Sequence, residues 1–176
     1  MLNRIVLLLA ILGGLNLKRV SFTLSKIHKP SDLLHDGDSE GAESPAHLSK
    51  SIYFDIINNQ NLQYYGPLEI GSSRVRMNFV FDTGSNELWF PTTQCSSCQA
   101  GSIRYDTSSS SFYHETSSQL SEINYGRGHV EGYKSQDQVW FSDTAKIDQM
   151  PCLSVTKQSD LNGIAAEGIL GLAPLD

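Results

Sequence analysis

The sequence has little positive charge. Lys and Arg number 13 against 19 Asp and Glu, which gives the 176 residues a formal net charge of −6. Nucleic-acid-binding proteins usually present a clustered basic face, because they must contact phosphates. We therefore expect no nucleic-acid partner. The hydrophobic fraction of 39% is ordinary for a globular chain, and this length suits one domain with its own core.

Several catalytic and metal-binding motifs are missing. There is no Gly-x-Ser-x-Gly nucleophile elbow and no His-Glu-x-x-His zinc motif. The pair Gly126-x-Gly128 lacks the third glycine of the dinucleotide-binding pattern, because Glu131 stands in its place. The histidines are scattered without the spacing of metal ligands: His28, His35, His47, His114 and His129. We expect neither a metal ion nor a cofactor.

Cysteine is scarce, with three in the chain. Two serines separate Cys95 from Cys98, and in an oxidising compartment such a close pair favours a small disulfide loop. A zinc site would need two further ligands, which no nearby His or Cys supplies. Cys152 is either a buried free thiol or a residue whose partner lies outside this chain.

The one long hydrophobic run lies near the start of the chain. Ile5–Leu12 contains no polar residue; Arg4 precedes the run and two glycines follow it. This pattern is typical of a secretory signal peptide and is too short to span a bilayer. We expect a signal peptide over residues 1–17 and a protein that is secreted, lysosomal or vacuolar. A buried N-terminal strand or helix is the alternative.

In residues 18–60, basic and acidic side chains are separated along the sequence. Basic residues lie between Lys18 and Lys29 with no acid among them, and acidic residues then follow between Asp32 and Glu43. Few large apolar residues accompany them, which is typical of a polar linker. A removable pro-segment and a merely solvated tail are both consistent with this composition.

After residue 60 the local signals are those of β-strands. Apolar and other residues alternate from Val75 to Phe81, a period of two that predicts a strand with one buried face. Glu122–Tyr125 and His129–Tyr133 flank a glycine-bearing tip, which predicts a hairpin. The serine run Ser108–Ser111 predicts a loop. No long stretch after residue 20 shows a helical period, so we expect a mostly β fold.

An acidic residue follows the alternating strand. Asp82 precedes Thr83 and Gly84, and a glycine here lets the backbone turn tightly and bring amide groups close to the carboxylate. Donated N–H bonds favour the charged form of an acid, so such a loop can hold an ionised carboxylate in a partly buried place. The alternative is an Asp that only caps its own turn.

The surroundings of Asp82 resemble a known family. The run Phe81–Pro91 resembles the first active-site loop of the pepsin-like aspartic proteases. Further landmarks of that family follow in order, so that the resemblance extends from about Leu62 to Leu172: N-terminal strands at Gln63–Gly66 and Ile70-Gly71, a flap at Ile123–Gly128, the strand leaving the flap at Gly132–Val139, and a closing segment at Gly168–Leu172. The resemblance implies that residues 61–176 form one N-terminal lobe of a bilobal acid protease fold.

The resemblance also implies roles for the loop residues. Asp82 would be one of two catalytic aspartates that share a proton, activate a water and hydrolyse a peptide bond at acidic pH. Thr83 would brace the paired loops, Gly84 would permit their geometry, and Ser85 would hydrogen-bond near the Asp82 carboxylate. The substrate would be a peptide or protein, with no metal and no covalent intermediate.

The flap residues receive expected roles by the same resemblance. Tyr125 and Gly126 would close over the substrate, and Tyr125 would accept a hydrogen bond from the Trp89 indole. Without the resemblance, packing roles in the core and between strands would be preferred for the two aromatic residues. Arg127 and His129 stand where the family usually has small hydroxyl residues, so charged or titrating contacts with substrate can replace the usual ones.

The sequence departs from the family in one central respect. It contains no second Asp-Thr-Gly or Asp-Ser-Gly, and the nearest match, Ser142–Ala145, lacks the glycine. We therefore expect a truncated lobe, made as a zymogen and inactive alone, that needs a C-terminal lobe or a second copy to complete the pair. The alternatives are a non-catalytic lobe that binds peptides or proteins, and a homodimeric single-lobe protease.

Overall fold

The structure is a computed structural model that describes residues 56–60, 62–99, 101–161 and 163–173. The expected signal peptide at residues 1–17 lies outside the described residues. The proposed pro-segment and linker, residues 18–60, also lies outside them except for its last five residues, which contain a short strand.

The described chain is built from β-strands. Eight strands follow one another: β1 (Ile57–Asn59), β2 (Gln63–Ile70), β3 (Val75–Asp82), β4 (Leu88–Pro91), β5 (His114–Asn124), β6 (His129–Ser142), β7 (Ala145–Ser159) and β8 (Gly168–Gly171). The regular helix among the described residues is one 3-10 turn at Thr107–Ser109, capped by the Asp106 carboxylate. The expected mostly β fold is confirmed, whereas the serine run expected as a loop is partly this helical turn.

All eight strands belong to one sheet in the order β1-β2-β3-β8-β4-β7-β6-β5. An additional pairing between β2 and β6, with Ile70 opposite Val139, closes part of the sheet on itself. The core contains large apolar side chains with almost no exposed surface, among them Leu68, Met77, Phe79, Trp89, Phe90 and Leu170. Trp89 and Phe90 are neighbours on β4 and point to opposite faces of the sheet, so both faces are covered there. Full burial of one such side chain stabilises the folded state by about 1.5–3 kcal/mol.

A buried carboxylate ties the loop after β4 to the sheet. Asp137 on β6 has no exposed surface, and its oxygens accept hydrogen bonds from the Tyr105 hydroxyl at 2.6 Å and the Ser110 hydroxyl at 2.7 Å. The backbone N–H of Gln138 also donates to it at 2.7 Å. Because each donor replaces lost water, the carboxyl group can be buried with its hydrogen-bonding capacity satisfied.

The middle of the sheet positions Asp82. Strand β3 runs parallel to β8, with Asp82 opposite Gly171. The loop after Asp82 returns across the end of β8, where the Gly171 N–H donates to the Glu87 carbonyl at 3.0 Å. A Cβ atom at Gly171 would lie 2.4 Å from the Glu87 nitrogen, so only glycine permits this close approach.

Candidate active site

The Asp82 carboxylate lies at the end of β3, partly exposed. The Gly84 N–H donates to its Oδ1 at 2.9 Å, and the Ser85 hydroxyl donates to its Oδ2 at 2.6 Å. Both oxygens therefore accept a hydrogen bond from the loop itself. The Ser85 contact is the one that the family resemblance implies.

The backbone holds this loop against the segment that follows β8. The Leu172 N–H donates to the Asp82 carbonyl at 2.7 Å, and the Ala173 N–H donates to the Ser85 carbonyl at 2.8 Å. Thr83 and Gly84 remain exposed at the tip of the loop. The carboxylate is thus fixed by its neighbours, while Thr83 faces outward and is free to meet another surface.

Asp106 shows that hydrogen bonds from nearby residues to an aspartate carboxylate are not specific to a catalytic site. Asp106 also accepts hydrogen bonds from a residue just after it, the backbone N–H of Ser108 at 3.0 Å and its hydroxyl at 2.7 Å. Such self-capped turns are common for aspartate. Asp82 differs from Asp106 in its surroundings, which include an aromatic pair.

The aromatic pair joins β4 to the tip of the β5–β6 hairpin. Trp89 is almost fully buried, and its indole Nε1–H donates to the Tyr125 hydroxyl oxygen at 2.7 Å. Burial raises the pKa of the Tyr125 hydroxyl to about 12; the Trp89 hydrogen bond opposes this shift, and the Asp82 charge adds to it. Tyr125 therefore remains neutral at acidic and neutral pH, and its hydroxyl lies within the electrostatic reach of Asp82.

The hairpin that carries Tyr125 is the expected one. Ile123 pairs with Val130 and Asn124 with His129, and the Tyr125 N–H donates to the Gly128 carbonyl at 3.0 Å to close the turn. We call residues 125–128 the flap tip. The hairpin predicted from the glycine-bearing sequence is confirmed.

Gly128 fixes the flap tip against the end of β7. Its φ is +77°, a conformation that favours glycine, and a Cβ atom there would lie 2.2 Å from the Ser159 carbonyl oxygen. Gly126 and Arg127, by contrast, are exposed. The flap tip thus has two residues held by the rest of the lobe, Tyr125 and Gly128, and two that face solvent.

A cluster of titratable side chains on the same hairpin was missed by sequence reasoning. Glu122, His129 and Glu131 each offer a ligand atom within 4.8 Å of the others. Their spacing along the chain gives no signal, because the cross-strand register brings Glu122 opposite Glu131. The Lys157 ammonium already lies 2.6 Å from Glu131 Oε1, and this contact, then the one with His129, lowers the pKa of Glu131. We assign no metal to this cluster.

The cysteines form the disulfide predicted for the close pair and leave Cys152 as a buried free thiol, one of its two predicted states. Cys95 and Cys98 form a disulfide within a turn after β4, and Cys152 on β7 is a buried free thiol. Burial raises the pKa of the Cys152 thiol to about 12. The thiol is therefore protonated and unsuited to nucleophilic chemistry.

The partial second motif lies away from Asp82. Asp143 stands in the turn between β6 and β7, and its carboxylate is largely exposed and accepts a hydrogen bond from Arg74 at 2.6 Å. Within the described residues it therefore serves as a surface ion-pair partner and does not approach the Asp82 loop.

Comparison with known proteins gives a consistent result. A family model described as eukaryotic aspartyl protease matches residues 63–175. Renin of Echis ocellatus is 40% identical over 91 residues, which cover 50% of this chain and 23% of renin. Cathepsin D of Gallus gallus is 37% identical over 121 residues, 66% of this chain and 30% of that protein.

A plant relative aligns with more of the chain. Aspartic proteinase A1 of Arabidopsis thaliana is 34% identical over 152 residues, 84% of this chain and 28% of the plant protein. The chain thus spans about a quarter to a third of the length of these relatives. Across the part of the chain that the structure describes, no helix is long and apolar enough to cross a membrane.

Proposed function

The chain belongs to the eukaryotic aspartyl protease family, and from that premise we propose that it serves as an aspartic-type endopeptidase acting on peptides or proteins at acidic pH. The observation that carries the proposal is Asp82 itself. Its two carboxylate oxygens are each held by a loop hydrogen bond, and the Tyr125 hydroxyl that Trp89 holds lies within its electrostatic reach. This is a preorganised acid next to a hairpin that can cover an extended peptide.

The proposed chemistry requires two carboxyl groups. The ionised member accepts a proton from a water molecule, which attacks the scissile carbonyl, while the protonated member donates a proton to the carbonyl oxygen. Two carboxyl groups held close together do not both ionise, because their negative charges would repel, so the pair shares one proton. In this scheme Asp82 supplies one of the two carboxyl groups.

The second carboxyl group would come from outside this loop. The sequence has one Asp-Thr-Gly, and the exposed Thr83 is free to brace a matching loop of a second lobe or a second copy of the chain. The active unit we propose is therefore this lobe together with a partner surface that carries the other aspartate. The 176-residue chain alone would be inactive.

The flap tip would control access to the acids. Tyr125 and Gly126 would lie over the substrate backbone, with the Tyr125 hydroxyl held in place by Trp89. A closed flap excludes bulk water, which strengthens the electrostatic interactions around Asp82.

The chain outside the lobe fits an exported zymogen. In this proposal residues 1–17 are a signal peptide and residues 18–60 are a pro-segment and linker, and the protein enters the secretory pathway. The basic residues of the pro-segment would lie against the acidic lobe, and acid would loosen such contacts by protonating carboxylates.

The presence of only one Asp-Thr-Gly favours a second candidate function. A lobe with a single aspartate can hold an extended peptide or a partner protein without cutting it. The intact Asp82–Ser85 and Trp89–Tyr125 hydrogen bonds favour the protease instead, since peptide binding alone does not need an activated carboxylate.

The test is cleavage of a denatured protein at acidic pH by the purified chain over a range of concentrations, with and without pepstatin. Pepstatin-sensitive cleavage whose specific rate rises with concentration would support an aspartic protease completed by a second copy. Peptide binding by folded chain without cleavage, when the chain is assayed alone and joined to a lobe that carries a second Asp-Thr-Gly, would support the binding function. Cleavage blocked only by thiol, serine or metal reagents would contradict both.

A further inference from the structure

We propose that the Arg127 guanidinium on the flap tip is a specificity determinant that favours substrates with an acidic side chain close to the cleaved bond. The proposal rests on the protease function proposed above. It adds a charged contact that the flap hairpin offers to the bound peptide.

Arg127 is placed where a bound peptide would pass. It is exposed and stands two residues after Tyr125, whose hydroxyl contacts Trp89 and lies in the electrostatic reach of Asp82. Two residues of extended chain span at most about 7 Å. The Arg127 Cα therefore lies within about 7 Å of the Tyr125 Cα, on the flap tip that would cover the peptide in the proposed function.

The flap tip is held well enough to present this side chain. The Tyr125 N–H bonds to the Gly128 carbonyl, and Gly128 lies against the backbone of Ser159 and Asp160. Both ends of the turn are thus anchored while Arg127 faces solvent between them. A preorganised turn reduces the entropy lost when a ligand binds.

Among the described residues, Arg127 is unusual because it makes no ion pair or hydrogen bond to a carbonyl. Of the seven Lys and Arg side chains after residue 56, four make ion pairs with a Glu or Asp and one donates to a backbone carbonyl: Arg74, Lys134, Lys146, Lys157 and Arg104. Within the described residues, only Arg76 and Arg127 lack such a contact. Arg76 lies six residues before Asp82 on β3, about 20 Å along the strand.

Nearby acids do not neutralise Arg127. Glu131 is paired with Lys157 and His129, and Glu122 lies opposite Glu131 further down the hairpin. Asp82 is held by its own loop, and the exposed Asp160 makes no ion pair with Arg127 in the described structure. As far as the described part of the chain is concerned, no acid occupies the guanidinium, and it can accept a carboxylate from a bound peptide.

The chemistry of the guanidinium favours a carboxylate ligand. Arg presents a planar set of N–H donors that matches a carboxylate with two parallel hydrogen bonds. The chain as a whole has a net charge of −6 and repels acidic peptides. An arginine on the flap tip without an ion pair among the described residues offsets this repulsion locally, at the position where the peptide would lie.

The test compares matched peptides that differ by Glu or Gln at one position, scanned along the sequence. Cleavage is followed by kcat/KM with the active assembly, and binding is followed by fluorescence anisotropy with the full chain. At pH 6 we expect the Glu peptide to be favoured about tenfold at one position, because hydrogen bonds to charged groups have this strength. Arg127→Gln should remove the preference, Arg127→Lys should retain part of it, and Arg76→Gln should leave it intact.

Acid provides a further check. The preference should fade as pH falls below about 4.3, the pKa of a free Glu side chain, because the peptide loses its charge while the arginine keeps its own. Equal binding of both peptides at every position, or a preference that survives Arg127→Gln, would overturn the proposal. Cleavage of the Gln peptide reports the protease function separately, and anisotropy reports selectivity even if no peptide is cut.

Discussion

At the scale of single residues, the contact between Trp89 and Tyr125 holds one end of the flap tip. The Trp89 side chain is 1% exposed, so its indole N–H depends on a protein acceptor. The Tyr125 hydroxyl supplies that acceptor at 2.7 Å from a different part of the chain. One hydrogen bond therefore links the strand after the Asp82 loop to the hairpin above it.

Replacing the acceptor should be costly. Tyr125→Phe keeps the ring and leaves the Trp89 N–H without its partner, so we expect a loss of about 1–3 kcal/mol in the free energy of unfolding. Urea denaturation of the full chain measures it. Tyr64→Phe is the control, because Tyr64 is 40% exposed and its substitution should change little. Equal stability of the two variants would contradict the role given to this contact.

The hydrogen bonds to Asp82 are local, since those from Gly84 and Ser85 span two and three residues. The glycine after Asp82 predicted an amide close to the carboxylate, whereas the Ser85 bond was implied by the family resemblance. The cluster of Glu122, His129 and Glu131 was not predictable, because it depends on strand register. A sequence gives residue spacing directly, whereas register must be inferred from the whole hairpin.

At the scale of elements, strand type was predictable but strand length was not. The alternation from Val75 to Phe81 corresponds to β3, which the structure extends by one residue to include Asp82. His129–Tyr133, predicted as one arm of the hairpin, is the beginning of a strand of 14 residues, β6. Its register shifts three times against β7, so no single period runs through it.

Two flap glycines should respond very differently to the same substitution. Gly128→Ala places a Cβ atom where the Ser159 oxygen lies and keeps a positive φ, so we expect a loss of at least about 1–3 kcal/mol in unfolding free energy. Gly126→Ala meets no atom within 4 Å and should be nearly neutral. Chemical denaturation of both variants provides the comparison. A neutral Gly128→Ala would show that the flap tip is not docked on β7.

The ion pair on the flap hairpin should make stability depend on pH. Lys157, followed by His129, lowers the pKa of Glu131 in the folded state. The stabilisation is therefore present above the unfolded pKa, about 4.3, and is lost as pH falls through the lower folded value. Glu131→Gln should lower the Tm at pH 7 and have little effect near pH 3.

The matched control is Glu115→Gln, on the exposed part of β5. Thermal unfolding of both variants and the unaltered chain across this pH range makes the measurement. A Tm difference for Glu131→Gln that stays constant from pH 7 to pH 3 would contradict the assigned role of the ion pair.

At the scale of the whole molecule, the sheet positions one candidate catalytic carboxylate, that of Asp82. The parallel pairing of β3 with β8 carries Asp82 to the end of the sheet, and the exposed Thr83 beside it is available for contact. Peptide hydrolysis by two carboxyl groups requires the second from elsewhere. The relatives are three to four times longer than the part they share with this chain. This length is consistent with a second aspartate on a separate lobe.

Substitution of Asp82 tests the central proposal most directly. Acid cleavage of a denatured protein would be measured for the chain alone at high concentration and for the chain joined to a lobe with a second Asp-Thr-Gly. In whichever form is active, we expect Asp82→Asn to abolish pepstatin-sensitive cleavage. Asp106→Asn, in a similarly hydrogen-bonded turn, should retain it. Cleavage that persists in Asp82→Asn, or no cleavage by either folded form, would contradict the account.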